Sequence, residues 1–138
     1  MDLHHSQISQ FARKRYLNLE TYRKSGIPVR TPVEFAELTP AGDSSAGVNF
    51  YVSTLANSGK VKRIRNNPRV RVAPCGMRGG LQGTWMDAEA QIADPAEAET
   101  GRQLLRKKYS PWMQLAEFFG RLRRKTRIIL VIRLDWAS

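Results

Sequence analysis

The residues with the clearest chemical potential fall in one run, Ser53-Thr-Leu-Ala-Asn-Ser-Gly-Lys-Val-Lys-Arg63. Asn57 and Ser58 are N-cap types, and a helix begun there presents unpaired N–H groups and the positive end of its dipole. Such a helix start attracts phosphate. Ser53 and Thr54 add hydroxyls and Gly59 a bare backbone, while Lys60, Lys62, Arg63 and Arg65 bring more positive charge than a solvated turn of helix needs. The competing reading is an ordinary basic surface. A Walker A loop is excluded, because Lys60 is followed by Val61 and Thr54 stands where the first glycine belongs.

Other chemistries lack partners. The two histidines are the adjacent pair His4 and His5, with no cysteine or acidic cluster nearby, so neither a Ser-His-Asp hydrolase nor a metal site is expected. The single cysteine, Cys75, excludes an internal disulfide and points to a reducing, cytoplasmic setting. Asp87 and Glu89 share one face of a strand, a spacing open to paired acid–base work but more often only solvated. An anion site without acid–base partners fits a protein whose cofactor brings the reaction, while the chain supplies position and charge.

The elements that must position this run are readable in outline. Residues 1–10 are expected to be a flexible arm, and residues 11–138 one domain. A short helix over residues 11–15 would turn Phe11 inward, and residues 16–22 have strand composition. After turn chemistry at residues 23–28, the alternation of Val29, Thr31, Val33 and Phe35 with Arg30, Pro32, Glu34 and Ala36 predicts a second strand in a hairpin with the first. Pro32 lacks a ladder donor and assigns that strand to an edge, a bulge or a subunit boundary. Residues 39–47 are loop-like. Further strands are expected at 48–54, 69–74, 84–93 and 126–135, the last apolar on both faces. A helix over 58–66 should stop before Pro68. Asp94, Pro95 and Glu97 form a capping-box start for a helix to about residue 108, and Trp112, Leu115, Phe119 and Leu122 recur at helical spacing for a second.

About six strands, mostly in hairpin order, with few short helices, make an α+β, mainly β barrel of Greek-key type. At 138 residues the chain can bury roughly two thirds of its unfolded surface in one core. A barrel so small fills with its own side chains, so a ligand must lie outside it or between subunits. The net charge of +11 calls for an anionic partner. No apolar run approaches the about 20 residues of a membrane span, and the N-terminus has no secretory-signal pattern.

A family resemblance rests on Arg30-Thr-Pro-Val33, Tyr51-Val-Ser-Thr54, Ser58-Gly-Lys-Val-Lys-Arg63, Asn67-Pro-Arg-Val-Arg-Val-Ala-Pro-Cys75, Arg78-Gly79 and Ala88-Glu-Ala90. Over about residues 11–135 the chain resembles the pyridoxamine 5'-phosphate oxidase-like split β-barrel flavoproteins, and within them the coenzyme F420 (deazaflavin)-dependent oxidoreductases. The resemblance implies a six- to seven-stranded split barrel, a homodimer with a cofactor groove at its interface, and hydride transfer from F420, or FMN, to a small unsaturated or carbonyl substrate. It assigns Thr54, Ser58, Gly59 and Lys60 to the cofactor phosphate and Lys62 and Arg63 to its field. Arg30, Thr31, Pro32 and Val33 would lie along the ring, and Trp85 would close the groove. Glu34 stands where the family usually has an aromatic or apolar residue and Gly76 where it often has Asp, which puts the substrate side in doubt. The reading from another class is a nucleic-acid module using the basic residues of 60–71 and 102–127, but Tyr22, Tyr51 and Trp85 do not make an RNP-like pair. A cofactor-binding protein without turnover is a further alternative.

Overall fold

A computed structural model describes residues 7–38, 48–109 and 126–134. Its strands are β1 (Tyr16–Tyr22), β2 (Pro28–Glu34), β3 (Ala36–Leu38), β4 (Asn49–Leu55), β5 (Arg69–Cys75), β6 (Met86–Ile92) and β7 (Arg127–Leu134). Two helices join them, α1 (Gly59–Asn66) and α2 (Pro95–Tyr109). All pairings are antiparallel, and the sheet runs in the order β2-β1-β5-β6-β7-β4-β3. Its two edges belong to one stretch of chain, because β2 and β3 are separated only by Phe35. The sheet therefore curls into a split barrel whose closing strand is bent in the middle.

That bend corrects the expectation of an unbroken strand through residue 36. Phe35 is fully buried, and its backbone is served by a side chain from far along the chain: its N–H donates to Tyr109 Oη at 3.0 Å, and Tyr109 Oη donates to Phe35 O at 2.6 Å. Tyr109 Oη also lies 2.7 Å from Arg15 O, and Lys108 Nζ donates to Phe35 O at 2.7 Å. A buried backbone group must find a partner, and Tyr109 substitutes for the interrupted ladder. Six strands by pattern thus become seven by hydrogen bonding. Pro32 falls in β2, at the end of the sheet order, where its missing donor interrupts no inner ladder.

The inner face of the barrel is apolar, as the alternation required. Leu17, Leu19, Phe50, Val52, Val70, Val72, Leu130 and Ile132 meet there, topped by Phe11, Phe35 and Phe50 with ring centroids 4.9–6.0 Å apart. On the outside, Ala98, Leu105 and Tyr109 of α2 cover Tyr51, Ile129 and Val131. The last strand is accordingly buried on both faces. Gly101 permits this contact, since a Cβ there would lie 2.8 Å from Tyr51 Cδ1 and 2.9 Å from Ile129 Cγ2.

Local details differ from the sequence reading in three places. Residues 7–9 form a helical turn and residues 10–13 a turn, so no helix occupies 11–15, although Phe11 is buried as expected. Ile8 is also buried, and Gln10 bonds Thr84, so packing begins inside the stretch expected to be an arm. Strand β6 starts only at Met86, because Thr84 N–H is taken by Gln10. At α2, Asp94 accepts from Glu97 N–H at 2.8 Å, but the Glu97 carboxylate turns to Arg133 instead of completing the box. The loop at 39–47, His4 and His5, and the helix read from Trp112 to Leu122 lie outside the described residues.

Candidate functional site

Helix α1 begins at the expected cap. Ser58 is extended, and its hydroxyl accepts from Val61 N–H at 3.4 Å while lying 3.4 Å from the buried Thr54 hydroxyl. The N–H groups of Gly59 and Lys60 remain at the helix start without intrahelical acceptors. Val61 and Ile64 bury one face of the helix, which fixes how its first turn is presented.

Three cations converge on this start. The Arg63 guanidinium folds back across Gly59, where a Cβ would lie 2.7 Å from Nη1, and its Nε donates to Thr21 Oγ1 at 2.7 Å. Arg127, in register with Leu55, reaches Ser53 through Nε to Oγ at 3.0 Å and through Nη2 to the carbonyl at 3.1 Å. Lys60 feels both: burial, then the charges of Arg63 and Arg127, push its ammonium below the usual lysine range. Among the described residues no carboxylate contributes to that shift. Like charges held together without a counter-charge are stabilised by an anion, and hydroxyls with free N–H groups are the donors that phosphate takes.

A second basic cluster lies on the other face of β1. Glu20, 1% exposed, accepts from Arg30 Nε and Arg71 Nε, each at 2.7 Å, and from Tyr22 Oη at 2.6 Å. Burial alone would raise the Glu20 carboxyl, but these bonds, led by Arg71, bring it down to about 2. Both guanidiniums stand 5.0 Å from the centre of the Trp85 ring. Thr21 and Glu20 are adjacent in sequence and serve opposite clusters, as strand alternation demands.

Of the residues singled out from sequence, Ser53, Thr54, Ser58, Gly59, Lys60 and Arg63 are brought together. Asn57 and Lys62 belong to the same segment but are exposed. The stretch Arg30–Val33 is divided by the strand: Val33 packs against the core, Thr31 pairs with Leu19, Pro32 pairs with Asn18, and Arg30 joins Trp85 in the second cluster. Asp87 and Glu89 are exposed on β6 opposite Arg71 and Arg69, a cross-strand charge pairing. Thr21 and Arg127 were missed. Arg127 was legible only as the end of the basic stretch 102–127 and as one face of the last strand, because the register of β7 on β4 is not written in either strand alone. Among the described residues no group of three metal-ligating side chains occurs, and no helix is long and apolar enough to cross a membrane.

No family model and no curated sequence matches the chain. Solved structures do. A Clostridium acetobutylicum protein related to general stress protein 26, of the pyridoxine phosphate oxidase family, aligns with TM-score 0.62 at 14% identity, over 96% of this chain and 83% of its own. General stress protein 26 from Bacillus anthracis aligns with TM-score 0.58 at 20% identity, over 98% and 91%. An FAD-binding protein from Mesorhizobium loti gives TM-score 0.56 at 18% identity, over 98% and 89%. The chain therefore shares the split-barrel fold of these proteins, and the resemblance drawn from the motifs holds at the level of the fold.

Proposed function

We propose that the protein is a flavin- or deazaflavin-dependent oxidoreductase whose cofactor phosphate is held at the start of α1. The observation that carries this is the group Lys60, Arg63 and Arg127, gathered on the Ser58 cap with no carboxylate from the described residues among them. The fold adds support, since neighbours sharing it include an FAD-binding protein and a member of the pyridoxine phosphate oxidase family. A bound flavin or deazaflavin supplies hydride transfer to a small unsaturated or carbonyl substrate. The chain's own residues supply position: Ser58, the Gly59 and Lys60 N–H groups, Lys60 and Arg63 bind the phosphate, and Arg127 extends the positive field outward.

Three cations exceed what one phosphate requires, which favours F420, with its acidic tail, over FMN. The site is taken to work in a homodimer. Titration of the purified protein with both cofactors tests the order, since tight FMN binding without F420 binding reverses it. Lys60→Ala should weaken whichever cofactor binds, and an unchanged affinity removes the assignment of this site.

A further inference from the structure

At the bend that closes the barrel, a pocket of about 260 Å³ opens between the 10–13 turn, β3 and the last turns of α2. It lies at β3, one strand from β4, and shares no residue with the cluster at the Ser58 cap. Its floor is apolar, made by Phe11, Ala36 and Leu104. Its rim carries Arg13, Lys107 and Lys108 against one carboxylate, Glu37. Lys108 is built into the wall: Nζ donates to Phe35 O at 2.7 Å and stands 3.7 Å from the centre of the Phe35 ring.

Arg13 adds an independent sign. It is the non-glycine residue with positive φ among those described, at 61°. Glycine or asparagine would take that conformation at lower cost, and such outliers concentrate at ligand sites. Here the strained residue lines the pocket and contributes a guanidinium to its rim.

We propose that this pocket is a second ligand site, for a small molecule with an apolar body and one carboxylate or phosphate group. The apolar body fills the floor, and Lys108, Arg13 and Lys107 take the anion. The volume lies just below the roughly 300–1,000 Å³ of drug-sized sites, so the ligand is of fragment size. The proposal is independent of the cofactor reading.

The test uses fluorine NMR titration of the full chain carrying Lys60→Ala, which weakens the anion site at α1. The probes are 4-fluorobenzoate, 4-fluorophenyl phosphate and neutral 4-fluorobenzamide. Saturable binding of at least one anion is expected, at least tenfold tighter than the amide. Lys108→Met should weaken it at least tenfold, and Leu104→Trp, which fills the floor, should abolish it. Arg13→Gly should weaken binding while leaving the thermal midpoint unchanged or higher, a combination that a purely structural arginine would not give. The proposal is overturned if neither anion binds at millimolar concentration, if the amide binds equally well, or if Lys108→Met and Arg13→Gly leave affinity intact.

Discussion

The two faces of β1 carry basic clusters built on opposite terms. On one, Arg30 and Arg71 close on buried Glu20, with Tyr22 on the same carboxylate and Trp85 against both guanidiniums. On the other, Lys60, Arg63 and Arg127 gather, and among the described residues the arginines' partners there are hydroxyls and a carbonyl. The first arrangement is complete within the chain, and each arginine is oriented by the acid it contacts. The second leaves net charge unanswered. Counting basic residues does not distinguish the two, whereas the partner of each charge does, because cations that the fold neutralises have no need of a ligand and cations that it crowds together are the ones an anion would stabilise.

The largest effect is expected at Glu20. Glu20→Gln should destabilise the protein by about 3 kcal/mol in chemical denaturation, since it removes the charge that holds two guanidiniums at a buried position. It should also change the acid limb. The folded Glu20 carboxyl is held at about 2, below its ordinary 4.5, so its stabilisation is complete above about pH 4.5 and is lost as pH falls through about 2. The variant should therefore lose less stability on acidification than the parent over that window. An equal slope would show that Glu20 carries no special share.

At the other cluster the expected signs reverse. Lys60→Ala should cost about 2 kcal/mol of phosphate-cofactor affinity and leave denaturation unchanged or slightly improved, because it relieves repulsion from Arg63 and Arg127. Arg127→Ala should cost about 1 kcal/mol of affinity, less than Lys60→Ala because its guanidinium is already engaged with Ser53. Gly59→Ala sharpens the contrast most gently. Its Cβ would displace the Arg63 guanidinium, the flexible end of a side chain, so a loss of about 0.5 kcal/mol in affinity is expected with little change in stability.

What could be read from sequence was local. The boundaries of β1, the Ser58 and Asp94 caps and the stop of α1 before Pro68 depend on residues within a few positions of one another, and they stand where they were placed. The bend at Phe35 depends on Tyr109, 74 positions away, and no pattern in residues 28–38 announces it. The same holds for the site. The α1 run was visible because its donors are contiguous, whereas Arg127 and Thr21 arrive through strand register and through the reach of Arg63 to β1. Arg30 and Trp85, grouped by resemblance with the cofactor, proved to be tied first to Glu20, a residue whose role only burial reveals.

On the reading proposed above, the crowded cations at the start of α1 bind the phosphate of a flavin-type cofactor. Calorimetric titration of the parent protein and of Lys60→Ala with FMN and with F420 tests it most directly. Saturable binding of at least one cofactor is expected, weakened at least tenfold in Lys60→Ala with the denaturation midpoint preserved. Binding of neither cofactor, or equal affinity in the two proteins, would contradict it.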